Sequence, residues 1–346
     1  MRFLVGFTAA ITLLASGANA QSQMMLEPYS AWAINYDEDS CALQRQFGEE
    51  GRQAFLELRE FGEIDRVVQI TIASKDFKRR DGEFRFAIDP LEKETKRVLG
   101  FNVRLDSSYE GKLFSGQIGS GDPRLDDAFR EFLSESNLLN DDKKKLVYEV
   151  IDNLHNQSMV TDLIKNKEYR DAAEIINYPY LKSKTFLDAL YQVYGRVEGL
   201  IVRDAFNRNL YLHTGELGAP MQAMQKCLDE LYSHWGIDVE AHRTLSRPVR
   251  PLNFDDFSQR IRQDYPKAMI SKRLEGYLRV RLSVSADGRP TACHLQSPLN
   301  DETFNRTACD TLMEHAQFSP ALDAVGRPIA SFFQTSIVYR LSTARR

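Results

Sequence analysis

The residues best placed to do chemistry in this 346-residue chain are its four cysteines, Cys41, Cys227, Cys293 and Cys309. No two form a Cys-x-x-Cys pair, and the only histidine close to any of them, His294 beside Cys293, has no second ligand at metal-binding spacing. A tetrahedral metal site needs such spacing, so no metal is expected. Disulfides are the remaining chemistry: an even number of cysteines in an exported chain favours them, and four permit three pairings.

Catalytic patterns are absent from the sequence. There is no Gly-x-Ser-x-Gly elbow, no His-Glu-x-x-His helix and no phosphate-binding loop. Gly116, Gly119 and Gly121 are wrongly spaced for a dinucleotide fingerprint, and Ser115 to Asp122 reads as a strand-to-helix loop. The six histidines are scattered. Asp126-Asp127 and Asp141-Asp142 sit near expected helix starts, where carboxylates complement the dipole. The chain is therefore read as a non-enzyme with no catalytic residue and no cofactor. Its net charge of −4, with signs interspersed, offers no broad basic surface. The short runs Lys75 to Arg80 and Lys143 to Lys145 are solvated faces beside acidic residues, and no nucleic-acid partner is expected.

Export is read from the first twenty residues. Arg2 precedes the apolar run Phe3 to Leu14, which ends in small residues closing with Ala18-Asn19-Ala20. That layout is a signal peptide (residues 1–20) cleaved before Gln21. Spanning a bilayer takes about 20 apolar residues, more than this run offers, so the mature chain is expected to be periplasmic with no membrane span. The competing expectation is an uncleaved membrane tether.

The elements that must position these residues fall into an α+β arrangement. Ala54, Leu56 and Leu58 alternate with polar neighbours, as do Val68, Ile70 and Ile72, then Phe84, Phe86 and Ile88, then Phe101, Val103 and Leu105. Such alternation predicts strands with one buried face. After Asp122-Pro123 the period becomes helical through Leu125, Phe129, Phe132 and Leu133, and again through Leu146, Val147, Val150, Ile151 and Leu154. Met221, Met224, Cys227, Leu228, Leu231 and Trp235 share one face of a further helix that Gly236 stops. Residues 241–253, with two prolines and no apolar periodicity, read as a linker between an N-terminal α+β domain (21–240) and a C-terminal domain (254–346). This division favours pairing Cys41 with Cys227 and Cys293 with Cys309. The long crosslink would stabilise by roughly 4–5 kcal/mol on chain-entropy grounds.

In the C-terminal region, Asp255 is expected to cap a helix carrying Phe257, Ile261 and Tyr265. Leu278, Val280, Leu282 and Val284 alternate with Tyr277, Arg279, Arg281 and Ser283, and Asp287-Gly288 is a hairpin signal. A second strand follows through Thr291, Cys293 and Leu295, then a helix from Asp301 to His315 with Phe304, Ala308, Cys309 and Leu312 inward. The turn Gly326-Arg327-Pro328 leads to a last strand through Phe333, Thr335, Ile337, Tyr339 and Leu341. The order helix, strand, strand, helix, strand gives a three-stranded antiparallel sheet with helices on one face.

Several of these residues also carry a resemblance. Tyr265-Pro266-Lys267-Ala268, Gly276 with its alternating strand, Asp287-Gly288-Arg289, Ala316-Gln317-Phe318-Ser319-Pro320-Ala321, Gly326-Arg327-Pro328 and Ile337-Val338-Tyr339-Arg340-Leu341 occur in an order that resembles the TonB C-terminal domain family. Ser297-Pro298-Leu299 departs from the Ser-Ser-Gly type of turn common in that family. More loosely, Trp32, Cys41, Phe47-Gly48 and Trp235-Gly236-Ile237-Asp238 resemble exported alphaproteobacterial proteins, particularly of sphingomonads, labelled as TonB-related energy transducers. These tend to carry a cysteine pair placed like Cys293 and Cys309.

The resemblance implies binding at the edge of the last strand, Gln334, Thr335, Ser336, Ile337, Val338 and Tyr339. The partner it implies is an envelope protein or an outer-membrane transporter peptide that adds a strand to the sheet. Self-association through the same edge is a second expectation. The alternatives are a membrane-tethered energy transducer, should the signal segment stay uncleaved, and a structural envelope protein whose edge strand is covered. The chain has no long Pro-rich arm of the kind transducers use to cross the periplasm.

Overall fold

The computed structural model describes residues 23–339 apart from 63–66, 93, 99, 119–121, 138, 153–180, 182, 265–266, 272–275 and 297–301. The expected signal segment, Leu154, Tyr265-Pro266, Ser297-Pro298-Leu299 and Leu341 lie outside the described residues. Among those described, no helix is long and apolar enough to cross a membrane.

Two sheets enclose the N-terminal core. One takes β2 (Ala33–Tyr36), β3 (Cys41–Phe47), β4 (Ala54–Glu60), β5 (Val68–Ser74), β8 (Phe101–Arg104) and β9 (Glu110–Gly116) in the order β2-β3-β4-β5-β9-β8. Every pairing in it is antiparallel. The other runs β1-β11-β10-β6-β7, from β1 (Gln23–Leu26), β6 (Phe84–Asp89), β7 (Lys96–Val98), β10 (Gly199–Arg203) and β11 (Asn209–Leu212). Here β1 lies parallel to β11 at the sheet's edge. The alternating residues of the sequence face inward as their period requires: Leu56, Leu58, Ile70, Ile72, Phe84 and Ile88 are all buried in one cluster. Leu105, by contrast, lies past the end of β8 and is exposed.

The strands β10 and β11 follow the helices in sequence and return to pair with β6 and β1. Their sequences, Gly-Leu-Ile-Val-Arg and Asn-Leu-Tyr-Leu, lack alternation: β11 is buried on both faces, and in β10 the half-buried Ile201 is as apolar as the buried Leu200 and Val202. The helices α1 (Pro123–Glu135), α2 (Asp141–Asp152) and α3 (Lys184–Tyr194) precede them. Asp122 caps α1 by accepting from Arg124 N, with Pro123 in the first turn, and its carboxylate also meets Arg196 Nη1 at 2.7 Å. The helix α4 (Gly218–His234) buries Met221, Met224, Cys227, Leu228 and Leu231, and Gly236 follows at φ 73°.

Residues 241–253 are tied down rather than free. The short helix α5 (Val239–Arg243) runs into them, and β12 (Arg250–Pro251) pairs with β15 (Phe318–Ser319). Arg247 exchanges backbone hydrogen bonds with Leu322, and Leu245 and Val249 are buried in the C-terminal core. Pairings two residues long leave no period for a sequence pattern to reveal.

The C-terminal domain has the expected order of elements: α6 (Phe254–Gln263) and α7 (Lys267–Ser271), β13 (Gly276–Val284), β14 (Pro290–Leu295), α8 (Glu302–His315), the short strands β15, β16 (Ala321–Leu322) and β17 (Pro328–Ile329), and β18 (Ser331–Tyr339). The three-stranded antiparallel sheet has the order β14-β13-β18. Leu278, Val280, Leu282 and Val284 pack with Phe257, Ile261, Ala308 and Leu312 into a second core, separate from the first. The cap of α6 is Asn253, whereas Asp255 falls in the first turn. The Asn253 side chain makes no cap bond; it donates to His315 O and accepts from Gln317 N, holding the start of α6 to the end of α8. In the β13–β14 hairpin Gly288 has φ 80°, and a Cβ there would stand 2.1 Å from Phe318 O, so two separate constraints require glycine.

Each domain contains one disulfide: Cys41 with Cys227, and Cys293 with Cys309. The second joins β14 to α8 across 16 residues. A loop of that length is worth about 3 kcal/mol on chain-entropy grounds. Replacing both Cys293 and Cys309 by alanine is expected to lower the stability of the C-terminal domain by roughly that amount. Urea unfolding monitored by far-UV circular dichroism measures it.

Candidate functional site: the last strand and the seam behind it

The residues expected to bind a partner, Gln334 to Tyr339, all lie in β18, which occupies one edge of its sheet. Among the described residues β18 pairs only with β13, from Ser331 opposite Val284 to Tyr339 opposite Gly276. Among the described residues no strand lies on its outer side. The side chains divide by the period of two. Ile337 is buried in the domain core, level with Leu278, and Thr335 lies opposite Val280. Gln334 and Ser336 belong to the other face, opposite Arg281 and Arg279. Ser336 is exposed. Val338 and Tyr339 continue the ladder opposite Tyr277 and Gly276.

That other face is covered. An alternating strand with two arginines reads as a solvent face, yet Arg279 and Arg281 are almost wholly buried. The N-terminal domain lies against them. Arg281 donates through Nε (3.1 Å) and Nη2 (2.7 Å) to Asp39 Oδ1, and its guanidinium sits 3.9 Å from the ring centroid of Trp235. Arg279 lies 4.5 Å over the ring of Phe61. Gln296, just past β14, donates to Asp39 O at 3.0 Å, and Gln334 Nε2 donates to Phe61 O. At the start of β18 the ring of Phe332 stacks on His242 (5.1 Å) and on Tyr232 (5.7 Å) and meets Trp235 edge-on (5.3 Å).

Local structure places each of these groups. Asp39 is in the turn between β2 and β3, where Asp37 N bonds to Ser40 O. Trp235 is the C-cap of α4, and its Nε1 donates to Glu38 O at 3.2 Å. Gly62 has φ 79°, and its carbonyl accepts from Tyr232 Oη at 2.8 Å, which fixes the Phe61 ring beside α4. Burial pushes the Arg281 guanidinium down from its ordinary value, and the Asp39 carboxylate opposes that shift. A guanidinium stays charged under either influence, so the seam holds a paired ion in a nearly dry site. Burial, aided by Arg281, also lowers the neighbouring His294 below the ordinary histidine range, against the opposing pull of Asp39 and Glu38.

The sequence contained one sign of this interface. Phe332 falls out of step with Phe333, Thr335 and Ile337, which places a large apolar ring on what is otherwise the polar face of the sheet. Asp39 carried no sign at all, standing among several acidic turn residues. The four cysteines are brought together only as the two disulfides. Among the described residues no group of histidines, cysteines and carboxylates is arranged to hold a metal.

Residues 261–341 match the family model described as Gram-negative bacterial TonB protein C-terminal. The match covers the C-terminal domain and none of the two-sheet domain before it. It is the family of transport-associated, non-enzymatic envelope domains that engage outer-membrane transporters. Comparison with curated proteins gives no match.

Two consequences of the seam are measurable. Removing one partner of a buried ion pair costs about 3–5 kcal/mol, and Asp39 keeps some contact with solvent, so Arg281→Met is expected at the low end of that range. Arg281→Lys restores part of the loss, because a lysine cannot form the same fork or stack as flatly. Urea titration followed by tryptophan fluorescence reads both variants. The second consequence concerns pH. The folded protein resists protonating His294, while the unfolded chain accepts the proton in the ordinary histidine range. The stability this confers is complete above about pH 6.5 and is lost as pH falls toward the lower folded value. Between about pH 7 and pH 5 the wild-type protein should therefore lose more stability than His294→Gln, seen as a larger drop in the urea midpoint.

Proposed function

We propose that this protein is a periplasmic TonB-like module that binds an extended segment of an envelope protein, an outer-membrane transporter in the first place, by adding it as a strand to β18. The observation that carries this reading is the position of β18 at the sheet edge, with only its face covered by the N-terminal domain. The strand is paired with β13 along its whole length, and among the described residues no second strand flanks it. An edge in this state offers a row of N–H and C=O groups to an incoming chain, which supplies affinity from its backbone and selectivity from alternate side chains.

Energy transduction as such is a separate matter. A transducer must span the periplasm, and the stretch between the two domains here is bonded to β15 and β16 over most of its length. The reading of a purely structural envelope protein requires the edge itself to be blocked. The contacts made by Phe332 and Gln334 run from side chains on one face and use no backbone group of β18.

Proline scanning tests the mechanism. Successive N–H groups along a strand point to opposite sides, so of Thr335→Pro and Ser336→Pro one removes a ladder bond to β13 and the other blocks the outer edge. The variant that retains wild-type stability is the informative one. It should fail to recover transporter proteins from solubilised outer membrane, whereas the wild type captures them. Undiminished recovery by that stable variant would show that β18 is not the binding edge.

A further inference from the structure

The N-terminal side of the seam consists of two jaws that share a covalent bond. Asp39, whose carboxylate and carbonyl both engage the C-terminal sheet, stands two residues before Cys41. Trp235, on which Arg281 lies, ends the helix that carries Cys227. Cys41 and Cys227 are joined across 186 residues of sequence. The hydrogen bond from Trp235 to Glu38 O bridges the same two segments nearer the seam. Arg281 thus satisfies its charge on one jaw and its flat face on the other. Both contacts hold only while the jaws keep their spacing.

A cleft of about 450 Å³ runs between these jaws. Tyr36, Asp37 and Glu38 form one wall, and Cys227, Glu230, Leu231 and His234 the other. Cys227 is one of the residues that line the cleft and Cys41 is not, although both cysteines are almost wholly buried. Because Cys227 lines the cleft and Cys41 does not, the sulfur nearer to an entering reductant is Cys227 Sγ, with Cys41 as the leaving group.

We propose that the Cys41–Cys227 bond is a redox latch, whose reduction by a dithiol entering this cleft parts the jaws and frees the C-terminal sheet from the N-terminal domain. One thiolate of the dithiol attacks Cys227 Sγ, the bond to Cys41 breaks, and Cys41 leaves as a thiolate that takes up a proton. The second thiol of the reductant, once deprotonated, attacks the reductant's own sulfur in the mixed disulfide. Cys227 then leaves as a thiolate and is protonated. Two electrons pass from the dithiol, which becomes a disulfide, to the two cysteines. The C-terminal domain keeps its own core throughout, so release exposes a sheet face bearing Arg279 and Arg281. This inference does not depend on strand addition at β18, whose test is a binding measurement.

The test uses the mature chain with Trp32→Phe, which leaves Trp235 as its one tryptophan, and with Cys293→Ala and Cys309→Ala, which leave one disulfide. Dithiothreitol is added without denaturant, free thiols are alkylated and weighed by mass spectrometry, and Trp235 is probed by acrylamide quenching. Release predicts alkylation of Cys41 and Cys227 and a rise in quenching to the value given by Arg281→Met in the same background, with the far-UV spectrum retained. Three results would overturn the proposal: both cysteines alkylated with quenching unchanged, loss of the far-UV spectrum together with the bond, or cysteines that stay unmodified in excess reductant. Where the alanine pair prevents folding, the four-cysteine protein with peptide-resolved alkylation gives the same reading.

Discussion

A buried guanidinium needs a counter-charge for its ion, donors' partners for its fork, and a flat surface for its face. Arg281 finds the first two on Asp39 and the third on Trp235, and so its burial dictates how the two domains meet. The rest of the seam is arranged around it. Gln296 reaches the carbonyl of the same aspartate, Arg279 covers Phe61, and Phe332 fills the space beside Tyr232 and His242. Apolar contacts of this kind tolerate small shifts, but a desolvated ion pair does not, because a lost partner leaves an uncompensated charge. The docking is for that reason specific in register as well as in face.

Covering one face of a three-stranded sheet changes what the sheet can do. Its other face already packs on α6 and α8, so most of both faces is closed and, among the described residues, the edges β14 and β18 remain. The disulfide to α8 anchors β14, which leaves β18 as the edge with fewer constraints. The match of residues 261–341 to the TonB C-terminal family model takes in this strand. Under the proposed strand addition, the N-terminal domain packed behind that edge would preorganise the sheet and lower the entropy cost of receiving a partner.

Much of the C-terminal domain was legible from the sequence because its period is unbroken. Leu278 to Val284 alternate strictly, Asp287-Gly288 marks the hairpin, and Phe257 with Ile261 marks the helix face. The N-terminal strands that alternate were legible for the same reason, whereas β11 was not, since its residues are buried on both faces, and β10 was not, since its inward Leu200 and Val202 flank an equally apolar Ile201. The cap of α6 was misplaced by two residues because Asn253 and Asp255 are both good cap types, and the choice between them depends on His315 and Gln317, some sixty residues away. The seam was least legible of all. An arginine in a strand looks the same whether it meets water or an aspartate from another domain 242 residues away, and only the tertiary fold separates the two.

The tie between the two domains is short. His242 is stacked on Phe332 and Leu245 is buried in the C-terminal core, so very little backbone separates a residue held at the seam from one held inside the other domain. A chain of so few residues spans at most ~3.5 Å for each. When the seam opens, the C-terminal domain can therefore swing about this point but cannot travel. Its docking face stays close to Asp39 and Trp235 at an effective concentration of order millimolar. Any outside molecule that sought the covered face would have to outcompete a neighbour that never diffuses away.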